Sequence, residues 1–164
     1  MNTPAHFFFN YIILFFIIPD AEKYIIPIAI FSMVLDLDHI PGVFRWLKLT
    51  KEQRKALTHE EVSATVRTVV QEPTGILVIE VLLASIYLFG AESVLIPIAM
   101  ACLPMHWLLD FLTVHTRPLA PFDNRLVHLT LPVKGTFKDI DRPRLVVQTV
   151  LTGVLLALFL VVWL

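Results

Sequence analysis

Hydrophobic residues along this chain gather into five stretches that are separated by polar segments. The stretches run over 7–19, 24–41, 73–89, 93–114 and 145–164. A transmembrane helix needs about 17 to 25 apolar residues to cross a hydrocarbon core of about 30 Å, whereas the first stretch rises only about 20 Å. The pattern predicts an all-α protein, an integral membrane helical bundle of four to five transmembrane helices.

The composition supports a membrane protein rather than a soluble one. Of the 164 residues, 57% are hydrophobic and only 16% are charged, and the mean hydropathy is +0.75. A soluble domain has about a quarter of its residues charged. We therefore expect one transmembrane domain over 1–164 with the lipid bilayer as its surroundings. The net charge of -1 gives no basic surface for nucleic acid. A single cysteine, Cys102, excludes an internal disulfide and a thiolate metal cluster.

Basic residues show which side of the membrane each polar segment occupies. Segments 42–72 and 115–144 together hold twelve of the thirteen lysines and arginines. The third and fourth stretches form a hairpin between these segments, so both lie on one side. The positive-inside rule makes that side cytoplasmic. The prediction is a multi-pass protein of the cell (inner) membrane with five crossings, its N-terminus inside and its C-terminus outside.

Carboxylates and imidazoles stand near the ends of two apolar stretches on that same side. Asp36, Asp38 and His39 end the second stretch, and His106 and Asp110 lie near the end of the fourth. An ionised group in a bilayer costs about 2.5–3.5 kcal/mol, so a counter-charge is expected. These side chains suit a divalent metal, most of all zinc, with manganese or magnesium as alternatives.

Helical spacing separates these candidate ligands into two kinds. His106 and Asp110 are four residues apart, so they project from one helix face and can serve one ion. Asp36 and Asp38 are two residues apart and diverge on an α-helix, so one ligates while the other orients a histidine or caps the chain. The less specific interpretation is a charged helix end at the membrane surface, together with a buried His–Asp hydrogen bond that ties helices together.

Further groups join the site if the predicted topology is right. His59 lies in the polar segment on the same side, and His6 begins the first stretch, so both are further metal ligands or orienting groups. Asp38 or Glu80 would be the general base. For Glu80, a supporting role beside the ligands or an exposed carboxylate at the membrane surface is equally open. Three basic residues are candidates for holding an anionic substrate: Arg54, Lys55 and Arg117.

The ordered set of motifs resembles the YdjM family of inner-membrane-associated, metal-dependent hydrolases. The matching elements are His6, the LDLDHIP sequence of 35–41, Thr58-His59, the HWLLDFLT sequence of 106–113, and RPLAPF of 117–122. The resemblance implies a metal-dependent hydrolase with an Asp/His site facing the cytoplasm. The His-x-x-x-Asp motif is also similar to one in zinc phospholipases C, which by analogy implies phosphoester or lipid-like substrates. Where the family has His-Arg-Gly before its Thr-His, this chain has Arg54, Lys55 and Ala56, so one ligand position is an arginine.

Two other classes of function fit the same residues. In a non-catalytic membrane adaptor, the basic segments would dock a partner and the His and Asp residues would be structural. A small metal transporter would use the carboxylates as a binding site, but transporter sites lie near the midplane between repeats. Here the ligands cluster at one end and no repeat is visible, so the hydrolase ranks first and the adaptor second.

Overall fold

A computed structural model gives the fold, and its described residues are 3–50, 52–53, 67–90, 92–113, 116–123, 125, 127 and 137–163, with the backbone alone for 137–144. The described part of the chain is all-helical, as predicted. Its α-helices are α1 (Thr3–Ile17), α2 (Ile25–Met33), α3 (Ile40–Lys48), α4 (Pro73–Leu88), α5 (Leu95–Thr113) and α6 (Phe137–Trp163). Short 3-10 helices cover Ala21–Tyr24, Val34–His39 and Val69–Gln71.

Three segments are long and apolar enough to cross a membrane. They are Ala21–Lys48, Leu95–Thr113 and Leu145–Trp163. Helices α1 and α4 are also apolar but have 15 and 16 residues, which is about 22–24 Å of helix. Such helices cross only a thinned bilayer. The membrane bundle is therefore present with three candidate spans, and the five crossings stay a prediction.

The second apolar stretch is not the single α-helix that the pattern predicted. Helix α2 ends at Met33, the segment Val34–His39 winds as a 3-10 helix, and α3 then continues to Lys48. Pro41 lies in the first turn of α3, where proline is favoured because its missing N–H has no partner to lose. The acidic motif thus lies between two helices rather than at the end of one. We call Val34–His39 the acidic turn.

Helix packing divides the bundle into an apolar part and a polar part. Helix α1 packs against α2, α5 and α6, while α5 also packs against α4. One part is aromatic and aliphatic, with Tyr11, Leu14 and Ile28 at its centre and Phe159 and Phe7 against it. The buried polar side chains come mainly from the first two turns of α1, the end of α2, the segment just before α4 and the second half of α5. They include His6, Asn10, Ser32, Arg67, Gln71, Glu72, His106 and Asp110.

Gly75 permits the close approach that completes the polar part. A Cβ atom at this position would lie 2.3 Å from the carbonyl oxygen of Val69 and 2.6 Å from the Cα of Val70. The Val69–Gln71 turn therefore rests directly on the backbone of α4 because residue 75 has no side chain. This contact holds Gln71 against the acidic turn.

Candidate metal centre

Three side chains from three separate elements converge on one point. They are His6 of α1, Asp36 of the acidic turn and His106 of α5, and each offers a ligand atom within 4.8 Å of the others. His106 Nε2 lies 3.5 Å from Asp36 Oδ1, and the neighbouring His39 Nε2 lies 3.9 Å from the same oxygen. Two ligand atoms of a tetrahedral zinc site are about 3.3–3.5 Å apart, given bonds of about 2.0–2.1 Å. The group could therefore hold a metal ion, as the sequence predicted.

A backbone hydrogen bond sets the orientation of His106. Its Nδ1 lies 2.8 Å from the carbonyl oxygen of Ser32, and because a carbonyl only accepts, Nδ1 must donate. In the neutral ring, Nε2 then carries the lone pair. That atom faces Asp36 Oδ1 at 3.5 Å and Asp110 Oδ2 at 3.8 Å. This lone pair and the two carboxylates repel one another unless a cation or a second proton lies between them. Metal-binding histidines are typically oriented by such a bond at the other nitrogen.

His6 completes the group from α1. Its ring stacks on His106 with centroids 3.6 Å apart and planes 7° from parallel, and both rings are fully buried. His6 Nε2 lies 3.3 Å from Asp110 Oδ1, yet within the described ranges neither ring nitrogen of His6 makes a well-aligned hydrogen bond. The two rings must tilt out of this parallel stack to bind one ion, because an imidazole binds a metal in the plane of its ring.

The neighbouring carboxylates have counter-charges from the protein itself. Arg67, which is 7% exposed, donates from an Nη1 atom to Asp110 Oδ2 at 2.7 Å, and its Nε lies 3.5 Å from Glu72 Oε1. Arg117 lies 3.8 Å from the same Glu72 oxygen and donates to the carbonyl oxygen of Arg67 at 2.8 Å. Asp110 therefore has a guanidinium counter-charge, and its role as a metal ligand stays a prediction. Arg117, predicted to hold substrate, makes these internal contacts, and its role toward substrate also stays a prediction.

The buried cluster thus has two halves that differ in charge balance. We call His6, Asp36 and His106 the open half. The paired half is Arg67, Glu72, Asp110 and Arg117. With Asp38 included, the described residues of the cluster contain four carboxylates and two guanidinium groups. With neutral imidazoles, this leaves two negative charges, which one divalent cation would balance. A buried charge without a partner is costly.

Asp38 and His39 are held at the edge of the open half by hydrogen bonds. Asp38 Oδ2 accepts from the hydroxyl of Thr68 and from its backbone N–H at 3.2 Å, and Asp38 Oδ1 lies 3.4 Å from His39 Nδ1. The Gln71 amide donates to the carbonyl oxygen of Leu35 at 2.6 Å, and the same nitrogen lies 3.3 Å from His39 Nε2. These contacts fix the acidic turn. In a 3-10 helix, residues three apart lie on one side, which is why Asp36 and His39 are neighbours.

A second set of polar residues lies one turn deeper and joins α1, α5 and α2, the helix that leads into the acidic turn. Asn10 donates to Ser32 Oγ at 2.9 Å and to the carbonyl oxygen of Cys102 at 3.3 Å. Ser32 in turn donates to Cys102 Sγ at 3.8 Å. We call these three fully buried residues the polar layer. Each is four residues along the chain from a member of the open half, so the layer sets the height at which the three ligands meet.

The remaining predicted residues are not brought to the cluster by any described contact. Glu80 lies about 12 Å along α4 from Glu72, and within the described ranges no hydrogen bond or ion pair joins it to the site. Its role as a base stays a prediction. His59, Arg54 and Lys55 lie outside the described residues.

Three residues of the cluster had no predicted role in the site. Arg67, Gln71 and Glu72 fall in the polar segment 42–72, which is predicted to be cytoplasmic, although all three are buried. The available signal was their position within six residues of the helix-starting Pro73. The partners of Arg67 and Gln71 lie 43 and 36 residues away, and no local pattern gives such contacts.

Comparisons with known proteins add no family to this geometry. No family model, no curated protein and no solved structure matches the chain.

Proposed function

We propose that this protein is a membrane-embedded, metal-dependent hydrolase whose ion is bound by His6, Asp36 and His106. The observation that carries the proposal is the convergence of these three ligand atoms within 4.8 Å, with His106 oriented by a backbone carbonyl. Two histidines and one carboxylate, with a fourth position for water, form a common catalytic zinc set. Zinc is therefore the first choice, and manganese or magnesium are alternatives.

The residues of the site would have different roles in hydrolysis. A bound divalent ion would polarise the phosphoryl group and generate a nucleophile from water near neutral pH. His6 and His106 are fully buried, whereas the side chains of Asp38 and His39 are 13% and 24% exposed. Substrate would therefore approach from the acidic turn, where Asp38 is the proposed proton acceptor. Water attacks phosphorus, the P–O ester bond breaks, and the alcohol leaves with a proton.

The substrate class follows from where the site lies. The ligands are carried by apolar helices, and a phosphoester attached to an apolar group could reach them from the bilayer. The motif resemblance to YdjM-type inner-membrane hydrolases supports the same class, with the site at the cytoplasmic side. Arg54 and Lys55 are proposed to hold the anionic group.

Metal content and activity, measured on the same protein, test the proposal. Detergent-purified protein is stripped with a chelator and reloaded with zinc, manganese or magnesium, followed by elemental analysis and assays on phosphoesters. We expect about one ion per chain, metal-dependent hydrolysis, and loss of both in Asp36→Asn. Asp20→Asn is the matched control, because Asp20 is exposed and pairs only locally, 2.6 Å from Lys23. Equal metal in Asp36→Asn and wild type would contradict the ligand assignment.

A structural metal is the second candidate, favoured by the complete burial of both imidazoles. Structural zinc sites are closed, whereas catalytic ones keep an accessible position. In that case the ion would raise the unfolding temperature, and the metal-loaded protein would hydrolyse none of the phosphoesters. The same experiment therefore separates the two functions.

A further inference from the structure

An apolar cleft of about 330 Å³ lies beside the acidic turn, between α2, α4 and α5. Its walls are aliphatic and aromatic side chains such as Phe31, Leu83 and Leu103, and Asp38 is the one charged residue among the described residues that line it. Val34 and Val70 also line the cleft and are 39% and 45% exposed. The cleft therefore opens to the outside of the bundle close to the polar residues.

We propose that this cleft binds one hydrocarbon chain of a membrane lipid whose polar head group reaches the open half. The inference rests on the proposed function for the chemistry of the head group. An engineered apolar cavity of about 150 Å³ holds one benzene molecule and stays free of water. By that measure, the cleft has room for about a dozen carbon atoms.

A chain of described contacts connects the cleft to the candidate metal centre. Leu35 lines the cleft, and Asp36, the next residue, belongs to the open half. Asp38, at the polar end of the cleft, lies 3.4 Å from His39, whose Nε2 lies 3.9 Å from Asp36. A molecule with an apolar tail in the cleft would therefore present its polar end to the ligands.

The surroundings favour a lipid chain over an apolar segment of another protein. Two walls belong to the candidate membrane spans Ala21–Lys48 and Leu95–Thr113, so the medium outside the cleft is hydrocarbon. Lipid tails are about as apolar as leucine, so transfer from bilayer to cleft gains little. The advantage is orientation, because a chain fixed in the cleft holds the ester near the ion.

Adjacent leucines of α4 provide a matched pair of variants. Leu83 lines the cleft, whereas Leu82 is 58% exposed. Leu83→Trp should fill the cleft, and Leu82→Trp adds the same bulk to the outer surface. Val34→Trp blocks the opening from α2 and serves as a second test if Leu83→Trp does not fold. Metal content and unfolding temperature are measured first to show that each variant is intact.

Photolabelling tests the cleft without any need for catalysis. The probe is an alkyl phosphate with a diazirine at the end of its chain, and labelled peptides are mapped by mass spectrometry. We expect labels on cleft residues in wild type and Leu82→Trp, and about tenfold fewer in Leu83→Trp. Labels spread evenly over exposed helix faces, or unchanged in Leu83→Trp, would overturn the proposal.

Hydrolysis of ethyl and octyl phosphate then separates this inference from the proposed function. Both esters reach the detergent-purified protein from water, where burial of each methylene raises binding by up to about fourfold. The kcat/KM for octyl phosphate should therefore exceed that for ethyl phosphate by at least tenfold. Leu83→Trp should lose that preference and keep ethyl phosphate hydrolysis. Equal kcat/KM for both esters in wild type would contradict chain binding in the cleft but would not contradict the proposed hydrolase. Specific labelling of cleft residues without any hydrolysis would contradict the proposed hydrolase but would support chain binding in the cleft.

Discussion

The open half and the paired half of the buried cluster both contain carboxylates but balance their charges differently. In the paired half, Arg67 lies 2.7 Å from Asp110 and 3.5 Å from Glu72. In the open half, the contacts of Asp36 are to imidazoles rather than to guanidinium groups. The comparison teaches that a carboxylate within a membrane bundle is not by itself a sign of a metal. Asp110 also lies within 3.8 Å of an imidazole nitrogen of each histidine, so the difference is the guanidinium group, which is absent from the described contacts of Asp36.

The two halves should respond in opposite ways when a charge is removed. Breaking a buried ion pair leaves its partner as an uncompensated charge. Removing the carboxylate of the open half relieves a burial cost when no ion is bound. Four substitutions test this contrast, from the largest expected effect to the smallest.

Arg67→Met should have the largest effect on stability. It leaves Asp110 buried without its guanidinium partner and weakens the pairing of Glu72, which should lower the free energy of unfolding by about 3–5 kcal/mol. Denaturation in detergent measures this loss of unfolding free energy. Arg45→Met is the control, since Arg45 is exposed on α3. A loss under about 1 kcal/mol would show that the paired half does not depend on Arg67.

Asp36→Asn should abolish stabilisation by metal. Zinc at a hundred times its dissociation constant should stabilise wild type by about 2.7 kcal/mol, and this gain should vanish in the variant. Without metal, Asp36→Asn should be at least as stable as wild type, because a buried charge is gone. Unfolding experiments with zinc and with a chelator measure the stabilisation by metal and the stability of the metal-free protein. If zinc stabilises the variant as much as wild type, the open half does not bind the ion.

Asn10→Leu should weaken metal binding although every ligand remains. Loss of the polar layer lets the three ligand-bearing elements shift, and changes to such supporting partners typically cost about 10- to 100-fold in metal affinity. Competition with a chromophoric chelator gives the affinity. Tyr11→Phe is the matched control, because the neighbouring hydroxyl is buried with no hydrogen-bond partner within the described ranges. Equal affinities of the two variants would show that the layer only fills space.

Glu80→Gln should have the smallest effect. Glu80 has no described contact with either half, so metal content and hydrolysis should stay within about twofold of wild type. A general base typically contributes about 10²–10⁴-fold to the rate. A drop of that size would instead identify Glu80 as the base and would require α4 to approach the site more closely.

The sequence predicted the parts of the fold that depend on apolar composition. The starts and ends of α4 and α5 agree with their hydrophobic stretches to within two residues. Helix α6 begins at Phe137 rather than near residue 145, because its first two turns are polar but still compatible with a helix. The 3-10 form of the acidic turn was not predictable, since an apolar run looks alike whether it winds as α or as 3-10.

The site was predictable in its chemistry but not in its pairing. His6, Asp36 and His106 are metal-ligand types near the ends of apolar stretches, and position alone selected them. Arg67 was not selected, because its partner Asp110 is 43 residues away and no local spacing reports such a contact. Asp110 therefore lies beside both Arg67 and His6, and its role as a metal ligand stays a prediction.

The distribution of the open half over α1, the acidic turn and α5 has a consequence for biogenesis. Helices can insert one by one and associate later, and no adjacent pair of helices contains all three ligands. An ion bound by all three ligands would require that the first and last of these segments have met. Metal occupancy would then report the completion of tertiary assembly, a step that topology measurements on inserted chains do not detect.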